Sequence, residues 1–272
     1  MTSLNYPLLF QPVYKDYPWG GDRIPKKYGR ALPPGIYAES WEISDRPEGM
    51  SVVTNGSLAG RSLAWLVKEF GGRLVGTDCA CRRFPLLVKI IDARSRLSVQ
   101  VHPADENAAA VKGEPKTEMW YVLGARAGGR VFVGLEKTVT KKSFAQACRS
   151  GGIARMLVPV PVRPADAILV PGGTVHCIAE GLLLLEVQQN SNTTFRVYDW
   201  GRVDAHGRER PMHIPEAIRT VIWTGPRPAK ARPRVTAREG GNTAWDILEC
   251  RHFRVEQLDL AGPFRGSNDG RS

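Results

Sequence analysis

The sequence predicts a mainly β fold, a barrel or double-sheet jelly roll with a few short helices. Three observations carry this. Seven short runs rich in Val, Ile and Leu recur between residues 85 and 188. Pro and Gly punctuate the intervals between them. Helical periodicity breaks the series only briefly, and there is no alternating βαβ layout.

The elements follow in order. Residues 1–60 are rich in Gly, Pro and aromatics, with short β-like runs such as SVVTNGSLAG. From Ser62 to Phe70, Leu63, Leu66, Val67 and Phe70 fall on one helical face; Ser62 is placed to cap the helix and Gly71-Gly72 to stop it. Strands are expected at Pro85–Asp92, Leu97–His102, Thr117–Leu123, Arg130–Gly134, Ala167–Val170, Thr174–Ile178 and Leu182–Gln188. Helical interruptions fall at Ala104–Val111 and at Lys141–Leu157, the latter broken at Gly151-Gly152. After Pro233, strand-like Ala244–Cys250 and Phe253–Leu260 resume before a polar end, RGSNDGRS. Two strands cannot close a second barrel, so this end reads as an appendage or an incomplete domain.

Composition narrows the function classes. A chain of 272 residues with 42% hydrophobic content can build one large core, or one domain with a smaller partner. The N-terminus lacks the basic start and apolar core of a signal peptide, and runs such as Leu182–Leu185 are too short to span a bilayer. A cytoplasmic location is expected, without a membrane partner. Five cysteines at 79, 81, 148, 177 and 250 form no metal-finger or redox CxxC pattern, and Cys79-x-Cys81 is assigned no role. Lys and Arg exceed Asp and Glu by 38 to 27. The densest basic stretch, Arg202–Arg238, is cut by five prolines and has little aromatic interleaving. It reads as a solvated linker, and no nucleic-acid partner is expected. GxGxxG and P-loop patterns are absent.

Chemistry concentrates on three strands. Alternate strand residues share a face, so Gln100 and His102 look into one space with Ser98 beside them. Lys116 and Glu118 repeat the device. The turn Pro171-Gly172-Gly173 leads into a strand presenting His176. A lone His or Glu on a strand is most often a core or rim residue; the series in one small barrel is what points to a metal. Two imidazoles, one carboxylate and one amide oxygen suit Zn²⁺, and Mn²⁺, Fe²⁺ or Co²⁺ would also fit.

The segments YKDYPWGG, YAESWEIS, FPLLVKIIDARSRLSVQVHPADENA, GEPKTEMWYVLGA, VPGGTVHCIAEGLLLLEVQQNSNTTFRVYDWGR and RPMHIPEA occur in that order between residues 14 and 217. Together they resemble the type I mannose-6-phosphate isomerases, in their short bacterial form. The resemblance implies a zinc-dependent cupin that interconverts mannose 6-phosphate and fructose 6-phosphate, a phosphorylated hexose being its substrate. It implies Gln100, His102, Glu118 and His176 as ligands of one Zn²⁺ per chain. It further implies Arg196, Lys116 and Glu186 as catalytic groups, and Lys89, Ser98, Lys116 and Arg196 as substrate-binding groups. The bland reading of Lys89, inside the apolar run LLVKII, is a snorkelling strand lysine. Tyr17, Trp19, Trp41 and Glu42 read as packing and turn residues, and His206 and His213 as solvated.

Two departures from the family pattern stand out. Asn192 occupies a position that often carries Asp, and Asn cannot exchange a proton near neutral pH. The short form usually continues further, so residues 1–225 are expected to form the catalytic cupin domain, and 226–272 a basic linker with a partial second cupin-like domain. A monomer or weak homodimer is expected. These departures motivate an alternative: a catalytically impaired cupin that binds metal and a sugar phosphate as a sensor or interaction module.

Overall fold

Alternating Val, Ile and Leu positions sort side chains to two faces and build the sheets. The computed structural model describes residues 4–76, 82–203, 206–224 and 230–266. Its strands are β1 (Val13–Lys15), β2 (Glu39–Ile43), β3 (Leu86–Ala93), β4 (Val99–Val101), β5 (Glu118–Ala125), β6 (Arg130–Leu135) and β7 (Leu157–Pro161). Then come β8 (Ala167–Val170), β9 (His176–Ile178), β10 (Leu182–Gln189), β11 (Phe195–Tyr198), β12 (Arg234–Glu239), β13 (Asn242–Glu249) and β14 (Arg254–Asp259). The helices are α1 (Arg23–Tyr28), α2 (Leu63–Phe70), α3 (Gly72–Val75), α4 (Lys141–Ser150) and α5 (Ile214–Thr220).

Strands run β1-β2-β3-β10-β5-β8 in a six-stranded sheet, β11-β4-β9-β6-β7 in a five-stranded sheet and β12-β13-β14 in a third. The two large sheets face each other, as the jelly-roll expectation requires. Ile91, Trp120, Val122, Ile168 and Leu184 from the first meet Val131, Val133 and Ile178 from the second. Burying each such aliphatic side chain contributes about 1.5–3 kcal/mol. The outer face of the five-stranded sheet is covered by α4 and α5, through Phe144, Ala147 and Ala217 against Val99, Val101 and Val197. The three-stranded sheet packs on the outer face of the six-stranded one. There Ile247, Leu248 and Phe253 meet Met119 and Val187, and Tyr121 Oη donates to Gln257 Oε1 at 2.6 Å.

Local signals explain the helices. Ser62 Oγ accepts from Trp65 N, and Gly71 ends α2 at a positive φ of 49°. Thr140 and Ser143 form a reciprocal capping box for α4, which Gly151 terminates in the left-handed region. The expected helix at Ala104–Val111 is reduced to a 3₁₀ turn at Ala109–Val111. Asn107 Oδ1 accepts the Ala104 N–H there at 2.9 Å, a side-chain bond that competes with the helical one.

Other expectations change. SVVTNGSLAG forms isolated bridges at Val52 and Val53 and a 3₁₀ turn at Gly56–Leu58 rather than a strand. The stretch Arg202–Arg238 is not a solvated linker. Arg202 and Arg210 are tied to buried Asp199, α5 packs into the core through Ala217, and residues 234–239 form β12. Every residue of β12 is exposed, so no apolar alternation marked it. The C-terminal segment therefore holds three strands, not two. Cys79 and Cys81 lie outside the described residues. No described helix is long and apolar enough to cross a membrane.

Candidate active site and metal centre

The strand register assembles the site. Gln100 on β4 lies opposite His176 on β9 and Arg196 on β11. On the facing sheet, Lys89, Glu186 and Trp120 form one row across β3, β10 and β5, two residue pairs from Glu118. All these positions belong to the inward set of their strands. At one end of the sandwich that set is apolar; at this end it is charged.

His102, Glu118 and His176 converge, their ligand atoms all within 4.8 Å of one another. Each is 1% exposed. His102 Nε2 is 3.4 Å from Glu118 Oε2, and His176 Nε2 is 3.4 Å from Glu118 Oε1. Each ring is turned by its other nitrogen: His102 Nδ1–H donates to the Thr193 carbonyl and His176 Nδ1–H to the Thr174 carbonyl, both at 2.8 Å. These bonds fix the tautomer and leave both Nε2 lone pairs pointing at the carboxylate, the arrangement by which histidines are oriented towards a metal.

Electrostatics agree. Burial, reinforced by the Lys116 charge, lowers His102 to about 3, and burial lowers His176 as well. Both imidazoles are therefore neutral at physiological pH, the form that can bind a metal. Burial alone would raise Glu118, but the Lys116 charge holds it well below the usual carboxylate range. Neither Glu118 oxygen accepts a well-directed hydrogen bond, although Lys116 Nζ stands 2.9 Å from Oε2 and 3.0 Å from His102 Nε2. An ammonium thus stands in at lone pairs that suit a divalent cation. Gln100 Nε2 lies 3.2 Å from His176 Nε2, and a half-turn of the amide would present Oε1 instead. The residues present fit a metal ion.

Beside the cluster is a cavity of about 260 Å³. Lys89, Ser98, Gln100, Lys116, Glu186 and Arg196 all line it, as does Asn192. Lys89 is 4% exposed, so the snorkelling reading fails. Its Nζ sits 3.4 Å from both Glu39 and Glu186. Burial would depress its pKa, yet those two carboxylates raise it overall. Glu186 is raised by burial and by the Glu118 charge, against the pull of Lys89, and its Oε2 accepts from Trp120 Nε1 at 3.0 Å.

Sequence reasoning missed two charged lining residues and undervalued two aromatic ones. Glu39 shares the inward face of β2 with Trp41, whose Nε1 donates to it at 2.7 Å. A charged residue alternating with a buried Trp was the available signal. Arg210 lay in the stretch read as linker, and its partner Asp199 gives no local signal. Tyr17 and Trp19, taken as packing, also line the cavity. His213 is not simply solvated: its Nδ1 accepts the Arg196 N–H at 3.2 Å. His206 is exposed.

A two-sheet β fold with a buried His–Glu–His cluster opening on a charged cavity defines a metal-site protein of the cupin type. The family model for the catalytic domain of type I phosphomannose isomerase matches residues 8–123. The chain is 40% identical to the mannose-6-phosphate isomerase of Streptococcus mutans, over 94% of this chain and 79% of that protein. It is 38% identical to a Bacillus subtilis mannose-6-phosphate isomerase, over 94% and 80% respectively. The crystal structure of the mannose 6-phosphate isomerase from Bacillus subtilis superposes with a TM-score of 0.86 at 31% identity, covering 94% of this chain and 81% of that one. A phosphomannose isomerase mutant from Salmonella typhimurium shares the fold alone, at a TM-score of 0.70 and 17% identity, over 93% and 83%. The chain belongs to the type I phosphomannose isomerase family.

Proposed function

We propose that this protein is a metal-dependent aldose–ketose isomerase that interconverts mannose 6-phosphate and fructose 6-phosphate. The observation that carries the reading is the buried His102–Glu118–His176 cluster beside a cavity lined by Lys89, Lys116, Glu186 and Arg196. Such a site offers a metal, proton carriers and cationic groups for a phosphorylated sugar. Relatives named as mannose-6-phosphate isomerases support it.

The reaction takes a proton from C2 of the aldose and returns one to C1, while a hydroxyl proton passes from O2 to O1 through an ene-diol(ate). Zn²⁺, held by Gln100, His102, Glu118 and His176, would supply positive charge to the substrate oxygens. Glu186, whose carboxyl burial and the Glu118 charge raise above its ordinary value, is suited to hold and release a proton. Lys116 reaches the same oxygens from the cluster side. Arg196 stabilises developing negative charge with a guanidinium that stays protonated. Ser98, Lys89 and Lys116 bind the substrate.

Asn192 does not remove the proton carriers. Its amide donates to Glu48 Oε1 at 3.4 Å, on the cavity rim, while Glu186 and Lys116 stand independently of it. The impaired-module alternative thus loses its chemical motive. Residues 1–225 are assigned to the catalytic unit and 226–272 to the appended segment. A cytoplasmic location and a monomer or weak homodimer complete the reading, with no nucleic-acid or membrane partner.

The test is a coupled assay for fructose 6-phosphate formed from mannose 6-phosphate, with chelator-stripped and zinc-restored protein. Turnover restored by zinc is expected. Sugar-phosphate binding without turnover in the zinc-loaded protein would refute the isomerase reading.

A further inference from the structure

The cavity carries a more basic wall than the motifs assigned to it. Arg210 lines it together with Arg196. The Arg210 guanidinium is fixed: Nε and Nη2 donate to the two oxygens of Asp199, each at 2.7 Å. Such a side-on fork holds one edge of the group in a set plane. Asp199 is 1% exposed and also binds Arg202, so it anchors two guanidiniums from inside the protein.

The same short segment holds Arg196. Arg196 Nη1 donates to the Pro211 carbonyl at 2.9 Å, and its backbone pairs with His213 in both directions. Residues 210–213 therefore place two guanidiniums on one wall. Arg196 is held there by a backbone carbonyl rather than by a carboxylate, and its Nε is buried without an acceptor among the described residues. Two like charges on one wall repel, and burial with the Arg210 charge depresses the Arg196 pKa. A bound dianion would relieve both.

Lys89 is the contrasting cation. It lies between Glu39 and Glu186, 3.4 Å from each. A phosphoryl group beside it would face two carboxylates, whereas sugar hydroxyls could donate to both. The cavity is thus polarised from an arginine wall to a carboxylate-rich wall.

We propose that Arg210, positioned by Asp199, is a substrate-binding residue that seats the phosphoryl dianion, leaving Arg196 beside it to the reacting oxygens and Lys89 with its carboxylates to the sugar hydroxyls. The identity of the phosphoryl carrier rests on the function proposed above; the anion seat itself does not.

Titration of the metal-loaded protein with inorganic phosphate tests the seat without turnover. Arg210→Gln should weaken phosphate binding by about ten- to a hundredfold and raise KM for mannose 6-phosphate by a similar factor, with a smaller effect on kcat. Asp199→Asn, which loosens the fork but leaves the guanidinium, should give an intermediate rise in KM at unchanged metal content. Should Arg210→Gln not fold, Arg210→Lys keeps the charge, loses the fork and should show the intermediate effect. Phosphate affinity within about twofold of wild type in Arg210→Gln would overturn the proposal. So would loss of kcat at unchanged KM, or failure of the wild-type protein to bind phosphate at all. Phosphate binding that depends on Arg210 in a protein without isomerase turnover would sustain the seat and refute the activity.

Discussion

Lys89 and Glu186 lie directly opposite each other on β3 and β10, Nζ and Oε1 3.4 Å apart, with both side chains almost fully buried. Glu39 completes the group from β2, also 3.4 Å from the ammonium. One cation thus serves two carboxylates, all three largely buried at the cavity wall. Removing it strands charge that burial makes costly.

Lys89→Met should therefore destabilise the protein by about 3–5 kcal/mol, read as a lowered denaturation midpoint. Glu186→Gln should cost much less, because Lys89 keeps Glu39 as its partner. An unchanged midpoint for Lys89→Met would mean that this cation does not offset the two carboxylates in the fold.

The metal centre makes a second prediction. Purified protein should carry about one divalent ion per chain, and His102→Ala and His176→Ala should each lose it. Full occupancy in both variants, measured by elemental analysis, would exclude the ligand set. The carbonyls of Thr193 and Thr174 that orient the two rings belong to the backbone, so substituting those side chains should leave occupancy close to wild type.

Much of this geometry was legible in the residues, for a simple reason. Strand alternation is a local rule, so Gln100 with His102, and Lys116 with Glu118, could be placed on common faces without knowing the fold. Leu63, Leu66, Val67 and Phe70 revealed α2 by the same logic of period. What stayed hidden was pairing at a distance. Glu39 meets Lys89 across 50 positions, and Asp199 meets Arg210 across a polar, glycine-broken segment that mimics a solvated linker. The edge strand β12 exposes both faces and so carries no hydrophobic signal. Register and edge position are set by tertiary packing, which a single sequence does not display.

Acid should weaken the fold through the buried histidines. Burial and the Lys116 charge lower His102 to about 3, whereas an unfolded imidazole titrates near 6.5. The unfolded chain therefore takes up the proton first. The stability contributed is present above about pH 6.5 and lost as pH falls towards 3, at up to about 1.4 kcal/mol per pH unit. His176, lowered by burial in the same sense, adds to the slope. Urea denaturation of chelator-stripped protein at pH 7.5 and 5 should show this loss, and His102→Gln should flatten it. A slope unaffected by that substitution would place the acid sensitivity elsewhere.

Arg196 offers the cleanest separation of binding from chemistry. It lies beside Gln100 in the strand register, yet its guanidinium is held by the Pro211 carbonyl rather than by the metal cluster. Arg196→Ala should keep the metal ion and the fold, since it removes no ligand and breaks only one bond to a backbone carbonyl. Turnover should fall by about a hundred- to a thousandfold, the scale of losing a donor aimed at developing negative charge. Arg196→Lys should recover part of it, because a point charge returns without the planar fork. Elemental analysis and the coupled assay on the same preparations decide the matter. Turnover within about twofold of wild type in Arg196→Ala would remove this residue from the mechanism, and loss of the metal would make it structural.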